Sequence, residues 1–271
     1  MTVEDILVCP KCKMPLAQAG GSFVCGQRHT YDISKHGYVN LVNTSSQKES
    51  GDSKEMSRAR TNFLSGGAYG QFRDALCRAA GKGELLVDAG CGEGYYTCAA
   101  AEGFSLTVGF DLSKASVDYA ARRAKTCGLE SKVKFAVSSV YEMPIKSESA
   151  DCILSIFAPC ATEEFMRVLK PGGRLVVGCA GKRHLEGLKA ALYENVRENT
   201  DRRDLPDCMA EIGRQELSYE ITLEGRENIK ALYMMTPYSH KTSPEAEAKL
   251  FETEVLRTLV DFEIRIYEKQ R

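Results

Sequence analysis

Four residues near the N-terminus have the types and spacing of a metal site. Cys9-Pro-Lys-Cys12 is followed, after twelve intervening residues, by Cys25-Gly-Gln-Arg-His29, a C-x2-C…C-x3-H pattern. Zinc prefers four tetrahedral sulfur and nitrogen ligands. Two cysteines separated by two residues reach one ion from a tight knuckle, and a second pair on a following hairpin closes the site. Gly20-Gly21 is placed to turn that hairpin between two short strands. A segment this small buries too little apolar surface to fold unaided, so the ion supplies folding energy. Four protein ligands leave no open position, which predicts a structural zinc. His36 stands outside the pattern and is expected at the surface or in packing.

A second constellation lies further along. The run Asp88-Ala-Gly90-Cys-Gly92-Glu93-Gly94-Tyr95 closes a short apolar strand over 85–88 and opens a helix at Tyr95. Glycines let the backbone turn sharply and approach a ligand closely. The next strand, 106–111, ends in Asp111, 23 residues beyond Asp88. An acid at that point can accept both hydroxyls of a ribose. The pattern therefore predicts a nucleoside-bearing cofactor, and by itself it also admits NAD.

The elements that must position these residues alternate. Strands are predicted at 85–88, 106–111, 133–138, 150–157 and 174–179, with helices at 114–125 and up to Leu169, and a Pro-Gly-Gly turn at 171–173. Alternation of this kind implies an α/β fold, a parallel sheet with right-handed crossovers. Upstream, residues 43–54 are polar and aperiodic and read as a linker. Asp52 with Glu55 three residues on marks a helix start, Ser53 to Leu64 a helix, and Gly66-Gly67 its end. A second helix follows from Tyr69. Lys54, Arg58 and Arg60 make either a solvated helix face or phosphate contacts. Residues 214–223 have strand character, and a period-two pattern predicts a strand at 260–267. Apolar helices at 188–196 and 246–256 either pack internally or form a homodimer.

The 271 residues are 43% apolar and 27% charged, ordinary for a globular protein. No apolar run approaches the roughly 20 residues that span a bilayer. The N-terminus carries acids where an export signal carries bases. We therefore expect a cytoplasmic protein with no membrane contact. Eleven cysteines in a reducing compartment are thiols or metal ligands, and Cys152 and Cys179 fall in apolar, core-like segments. A net charge of -1 argues mildly against a strongly basic nucleic-acid binder but leaves RNA open, because local charge decides.

The loop Asp88-Ala-Gly-Cys-Gly-Glu-Gly94, together with Leu169-Lys-Pro-Gly-Gly-Arg-Leu175, resembles the class I methyltransferases that use S-adenosylmethionine (SAM). That resemblance implies a Rossmann-like, mostly parallel sheet of seven strands with the last strand antiparallel. It places the glycine loop under the methionine part of SAM, with Asp88 ordering the loop or the amino group. NAD is set aside on the same ground.

The whole chain is similar to the RlmA-type 23S rRNA (guanine-N1)-methyltransferases. The residues carrying this are the Cys9…His29 ribbon, Gly37-Tyr-Val-Asn-Leu41, Gly51-Asp-Ser53, Arg58-x-Arg60 and Tyr69. Asp88 through Thr97, Ala158-Pro-Cys160 and Arg183-His-Leu-x-x-Leu188 continue the match. The resemblance implies a zinc-ribbon RNA-recognition module at 1–42, linker and helices at 43–82, and a methyltransferase domain at 83–271. It implies SAM as methyl donor, one structural zinc, and methylation of guanine N1 in a hairpin loop of 23S rRNA. By the same resemblance Gly90, Gly92, Glu93, Gly94 and Tyr95 line the cofactor, Tyr69 and His184 touch it, and Ser138 and Ser139 lie near its adenine.

Ala158-Pro159-Cys160 stands where amino-directed methyltransferases carry an Asn/Asp-Pro-Pro-aromatic motif, and the missing Asn or Asp suggests a ring nitrogen as acceptor. No residue announces itself as a general base, and Cys160 is read as packing. Lys11, Lys13, Arg28, Phe23 and Tyr31 are candidate RNA contacts on the ribbon. Two rival readings are a small-molecule, quinone-type SAM methyltransferase and a non-catalytic SAM-sensing or zinc-ribbon binding protein. The ribbon argues against the first, because a small substrate needs no such module.

Overall fold

The computed structural model describes residues 1–42, 53–199 and 209–270. Most of the expected linker, Asp52 included, lies outside them. After a single 3-10 turn at Val3–Asp5 come three short strands, β1 (Leu16–Ala19), β2 (Ser22–Cys25) and β3 (Thr30–Asp32), which form one antiparallel sheet in that order. Gly20, at φ +60, makes the turn between β1 and β2, as the sequence predicts. A two-residue strand, β4 (Val39–Asn40), then leaves this module for the main sheet.

Two helices follow, α1 (Lys54–Ser65) and α2 (Gly70–Ala80). The N-cap of α1 is Ser53, whose hydroxyl accepts from the Met56 N–H. Next come β5 (Gly83–Ala89), α3 (Tyr95–Ala100), β6 (Phe104–Asp111), α4 (Lys114–Thr126) and β7 (Val133–Val137). The rest is β8 (Ala150–Ile156), α5 (Thr162–Val168), β9 (Leu169–Ala180), α6 (Glu186–Leu192), β10 (Met209–Glu224), α7 (Arg226–Met234), α8 (Pro244–Glu252) and β11 (Val255–Lys269).

The main sheet has eight strands in the order β10-β11-β9-β8-β5-β6-β7-β4. Strands β4 through β9 pair parallel, whereas β11 pairs antiparallel with both β9 and β10. Leu85, Leu86 and Val87 of central β5 are all fully buried, as a strand covered on both faces requires. The sequence predicts seven strands, and the eighth is β4. Two residues carry no readable period, and this strand exists because Val39 and Leu41 bury beside β7, with Leu41 N–H donating to Val137 O at 2.9 Å.

The late elements shift from their expected bounds. Helices α6 and α8 end at Leu192 and Glu252, and both late strands run longer than expected. Leu188, Leu192 and Leu250 of those helices are buried in one core cluster of this chain. Among the described residues no helix is long and apolar enough to cross a membrane.

The zinc module is not a loose appendage. Leu7, Leu16, Phe23 and Cys25 share a core cluster with Val39, Val140, Met143 and Ile145. Val8 N–H donates to Pro144 O at 3.0 Å, and Lys146 N–H to Ile6 O at 2.9 Å. The module thus sits against the connection between β7 and β8.

Candidate active site and metal centre

Cys9, Cys12, Cys25 and His29 converge, with their ligand atoms all within 4.8 Å of one another. Cys12 Sγ lies 3.5 Å from Cys25 Sγ, and His29 Nδ1 lies 3.5 and 3.4 Å from the sulfurs of Cys9 and Cys25. Ligands tetrahedral about zinc, at roughly 2.0–2.3 Å from it, must be roughly 3.5–3.8 Å apart, so the donor set fits one zinc ion. Tyr31 supports it: its hydroxyl is 3.1 Å from Cys9 Sγ. Burial pushes the Cys9 thiol up, but bonds from Tyr31 and the backbone of Cys12 and Lys11 outweigh it and hold the group at about 6. His36 stands apart, with Nδ1 2.7 Å from Asp118 Oδ1 on α4.

The RNA-contact candidates on the ribbon separate. Lys11 and Arg28 are exposed, whereas Lys13 pairs with Glu142 at 2.6 Å. Phe23 is buried, and Tyr31 is turned to the metal ligands, so neither presents a stacking ring.

A cavity of about 750 Å³ opens at the carboxyl ends of β5, β6, β8 and β9. That is within the roughly 300–1,000 Å³ of small-molecule sites. Its floor is the glycine loop. Gly90, Gly92 and Gly94 all have positive φ, at +86, +53 and +76. A Cβ on Gly90 would come 2.5 Å from Ala158 Cβ, and one on Gly94 would meet Ala120 Cβ at 2.9 Å. The loop therefore lies flush against its neighbours and exposes backbone to the cavity. Asp111 stands in the wall and ties the loop down, accepting from Gly92 N–H at 3.0 Å and Ser113 N–H at 2.8 Å. A carboxylate oxygen can accept two bonds, so these contacts are compatible with a ribose as well.

Asp88 lies below the loop, 1% exposed, and accepts from Thr97 Oγ1 at 2.6 Å. Its other oxygen, Oδ1, has no partner among the described residues. Burial pushes its carboxyl up to about 7. Burial raises Glu93 too, opposed by Arg60, whose guanidinium is 3.9 Å away.

Opposite the loop, His184 and Tyr69 are coupled. Asp261 N–H donates to His184 Nδ1 at 3.2 Å. Burial lowers the imidazole to about 4, so it is neutral near pH 7. With Nδ1 accepting, the proton sits on Nε2 and is donated to Tyr69 Oη, 3.2 Å away. Tyr69 Oη thereby accepts from His184 and keeps its own proton to donate. Its ring is locked edge-on against Phe63 and Phe262, at 5.1 and 4.8 Å between centroids.

Of the residues singled out from sequence, Tyr69, Gly90, Gly92, Glu93, Asp111 and His184 line the cavity. Asp88 and Gly94 support its floor. Tyr95 departs from expectation: its ring lies between Arg73 and Arg123, each 5.5 Å from the centroid, and the neighbouring Tyr96 faces the cavity. Ser138 and Ser139 are likewise outside the lining. Ser138 N–H donates to Asp111 O, and its hydroxyl turns to its own loop.

Sequence reasoning missed several wall residues. Met56 and Leu64 line it from α1, together with Arg60, which the sequence offers as a phosphate contact or a solvated side chain. Their i, i+4, i+8 spacing marks one helix face, a signal overlooked because the face reads as solvated. A buried bond between Ser57 and Ser116 hydroxyls, 2.8 Å, pins α1 to α4 and turns that face inward. Phe157 and the segment Met235-Thr-Pro-Tyr238 complete the wall, and no local signal marks the latter.

Comparison with known proteins adds two family models. A methyltransferase-domain model matches residues 80–229, and the "RlmA, N-terminal" zinc-ribbon model matches 7–50. The chain is 30% identical to the 23S rRNA (guanine(748)-N(1))-methyltransferase of Streptomyces fradiae, over 91% of this chain and 90% of that protein. It is 34% identical to a putative 23S rRNA (guanine-N(1)-)-methyltransferase of Micromonospora griseorubida, covering 66% and 67%. A Bacillus subtilis protein of the same putative description, YxjB, is 29% identical over 95% of each chain. Among solved structures, YcgJ from Bacillus subtilis superposes with a TM-score of 0.51 at 16% identity, over 73% of this chain and 98% of that one, a likeness of fold alone.

Proposed function

Since the chain belongs to the 23S rRNA (guanine-N1)-methyltransferase family, we propose that it transfers a methyl group from SAM to N1 of a guanine in a hairpin loop of 23S rRNA. The observation that carries this reading is the pairing, in one chain, of a four-ligand zinc module with a glycine-floored cavity. SAM supplies a methyl group on a sulfonium, ready for in-line displacement. The protein's part is alignment, which can account for most of the acceleration in such a transfer.

Asp111 is suited to the ribose hydroxyls, and the flush Gly90–Gly92 backbone to the methionine portion. Asp88 lies beneath the loop with one oxygen that has no partner among the described residues, placed to order the loop or balance an ammonium. Tyr69, fixed as a donor by neutral His184, can hold an acceptor atom such as a carboxylate oxygen of the cofactor. The β8 tip, Ala158-Pro159-Cys160, offers no Asn or Asp side chain to bond an exocyclic amine, which favours a ring nitrogen. The ribbon, with exposed Lys11 and Arg28, is suited to phosphates of a loop whose base is splayed out. Residues 1–42 would then serve recognition and 83–271 transfer, and ribosomal RNA as substrate places the reaction in the cytoplasm.

The test is to incubate the protein with tritiated SAM and unmodified large-subunit rRNA, digest to nucleosides and identify the labelled one. Label in 1-methylguanosine is expected. Label in N2-methylguanosine, or none with SAM binding intact, overturns the reading.

A further inference from the structure

Phe157, the first residue beyond β8, has two costly features. Its φ is +51, a left-handed conformation that a bulky side chain seldom adopts. Its side chain is an apolar ring, and the residue is 47% exposed. Neither feature helps the fold, yet both are firmly held. Phe157 N–H donates to Gly178 O at 2.9 Å, which fixes the backbone. The ring rests on Phe72, His184 and Phe262, at 5.8, 6.1 and 6.2 Å between centroids. Phe72 and Phe262 are fully buried and stack on each other at 4.1 Å, so the support is rigid. Strain that the surroundings over-determine is a mark of sites where function uses it.

The position of the ring narrows that function. Phe157 is in the cavity wall, and the next residue, Ala158, abuts Gly90 of the loop that floors the cofactor end. A flat, rigid, partly uncovered apolar ring in the wall next to the glycine loop suits a flat aromatic acceptor. The geometry points to Phe157 as the platform on which the acceptor guanine stacks, holding the plane of the base so that N1 faces the methyl group. This rests on the guanine reading above. Stacking tolerates any base, so Phe157 supplies affinity and orientation, and the choice of guanine comes from other contacts.

Two variants test it, Phe157→Asn and Phe157→Trp, on an unmodified 23S rRNA fragment. Asparagine is tolerated in the left-handed region, so the first removes the ring without disturbing the backbone. It should melt no lower than wild type and bind SAM with unchanged affinity by calorimetry. Its kcat/KM for RNA should fall at least about tenfold, the range expected on losing one stacked base. Tryptophan, which keeps an aromatic face, should retain activity to within a fewfold. Normal RNA kinetics in the Asn variant would overturn the platform, as would a loss of SAM affinity matching the loss of rate. A wild-type protein that labels no guanosine would sink the acceptor reading and the platform with it. Wild-type labelling alongside an unimpaired Asn variant sinks the platform alone.

Discussion

Replacing Asp88 with asparagine should stabilise the SAM-free protein, and by more as the pH rises. Burial moves this carboxyl from its ordinary 3.8 to about 7. A raised folded value means that the fold tolerates the protonated form. The stability attached to that proton is full below about pH 4 and is lost as pH rises through about 7. Asparagine has the same shape, can still accept from Thr97 Oγ1, and has no proton to lose. Taking each unit as about 1.4 kcal/mol, the gap between variant and wild type should widen by about 2 kcal/mol from pH 5.5 to pH 8. The assay is urea unfolding of both proteins side by side, zinc-loaded and SAM-free, across that range. Titrations of other groups cancel in the difference. A gap that stays flat or narrows would refute the argument that Asp88 is a buried, under-bonded carboxyl. Saturating SAM should shrink the gap if its ammonium pairs with the charge, since only the wild type then gains a partner.

Four further outcomes are expected. Cys25→Ser should lose the zinc, read by elemental analysis, and lower Tm by roughly 5–10 °C, because the ribbon core is continuous with the main core. Gly90→Ala should abolish SAM binding by calorimetry, since its Cβ would collide with Ala158, and Ala158→Gly in the same chain should restore part of it. The remaining deficit reflects φ +86, which alanine pays about 1 kcal/mol or more to adopt. His184 is lowered to about 4 by burial, so its stabilising share is present above about pH 6.5 and lost as pH falls toward 4. His184→Gln should remove about 2 kcal/mol of the wild type's loss between pH 7 and pH 5, read by unfolding. Changing Lys11, Lys13 and Arg28 together to Ala should weaken RNA binding and flatten its salt dependence, with Lys13 contributing least because Glu142 already pairs with it.

What could be read from the sequence was whatever a few neighbouring residues determine by themselves. The zinc ligands are a matter of short spacings on two knuckles, and the structure brings all four together. The glycine loop and Asp111 follow from strand ends, because a strand fixes where its last side chain emerges. The alternation of strands and helices needed only hydrophobic runs and their punctuation. Rotation and long-range closure were not legible. Tyr95 and Tyr96 are adjacent on α3, and a helix turns about 100° per residue, so only packing against α2 and α4 decided that Tyr96 faces the cavity. The inward turn of α1, which delivers Met56, Arg60 and Leu64, depends on a hydroxyl pair joining residues 57 and 116. Strand β4 exists only because the main sheet offers β7 an edge to extend. The left-handed Phe157 is imposed by Gly178 and two buried rings from α2 and β11. Local spacing sets what a residue can do, and the three-dimensional path of the chain decides which residues meet, because contacts between distant segments are chosen by the packing of the whole core.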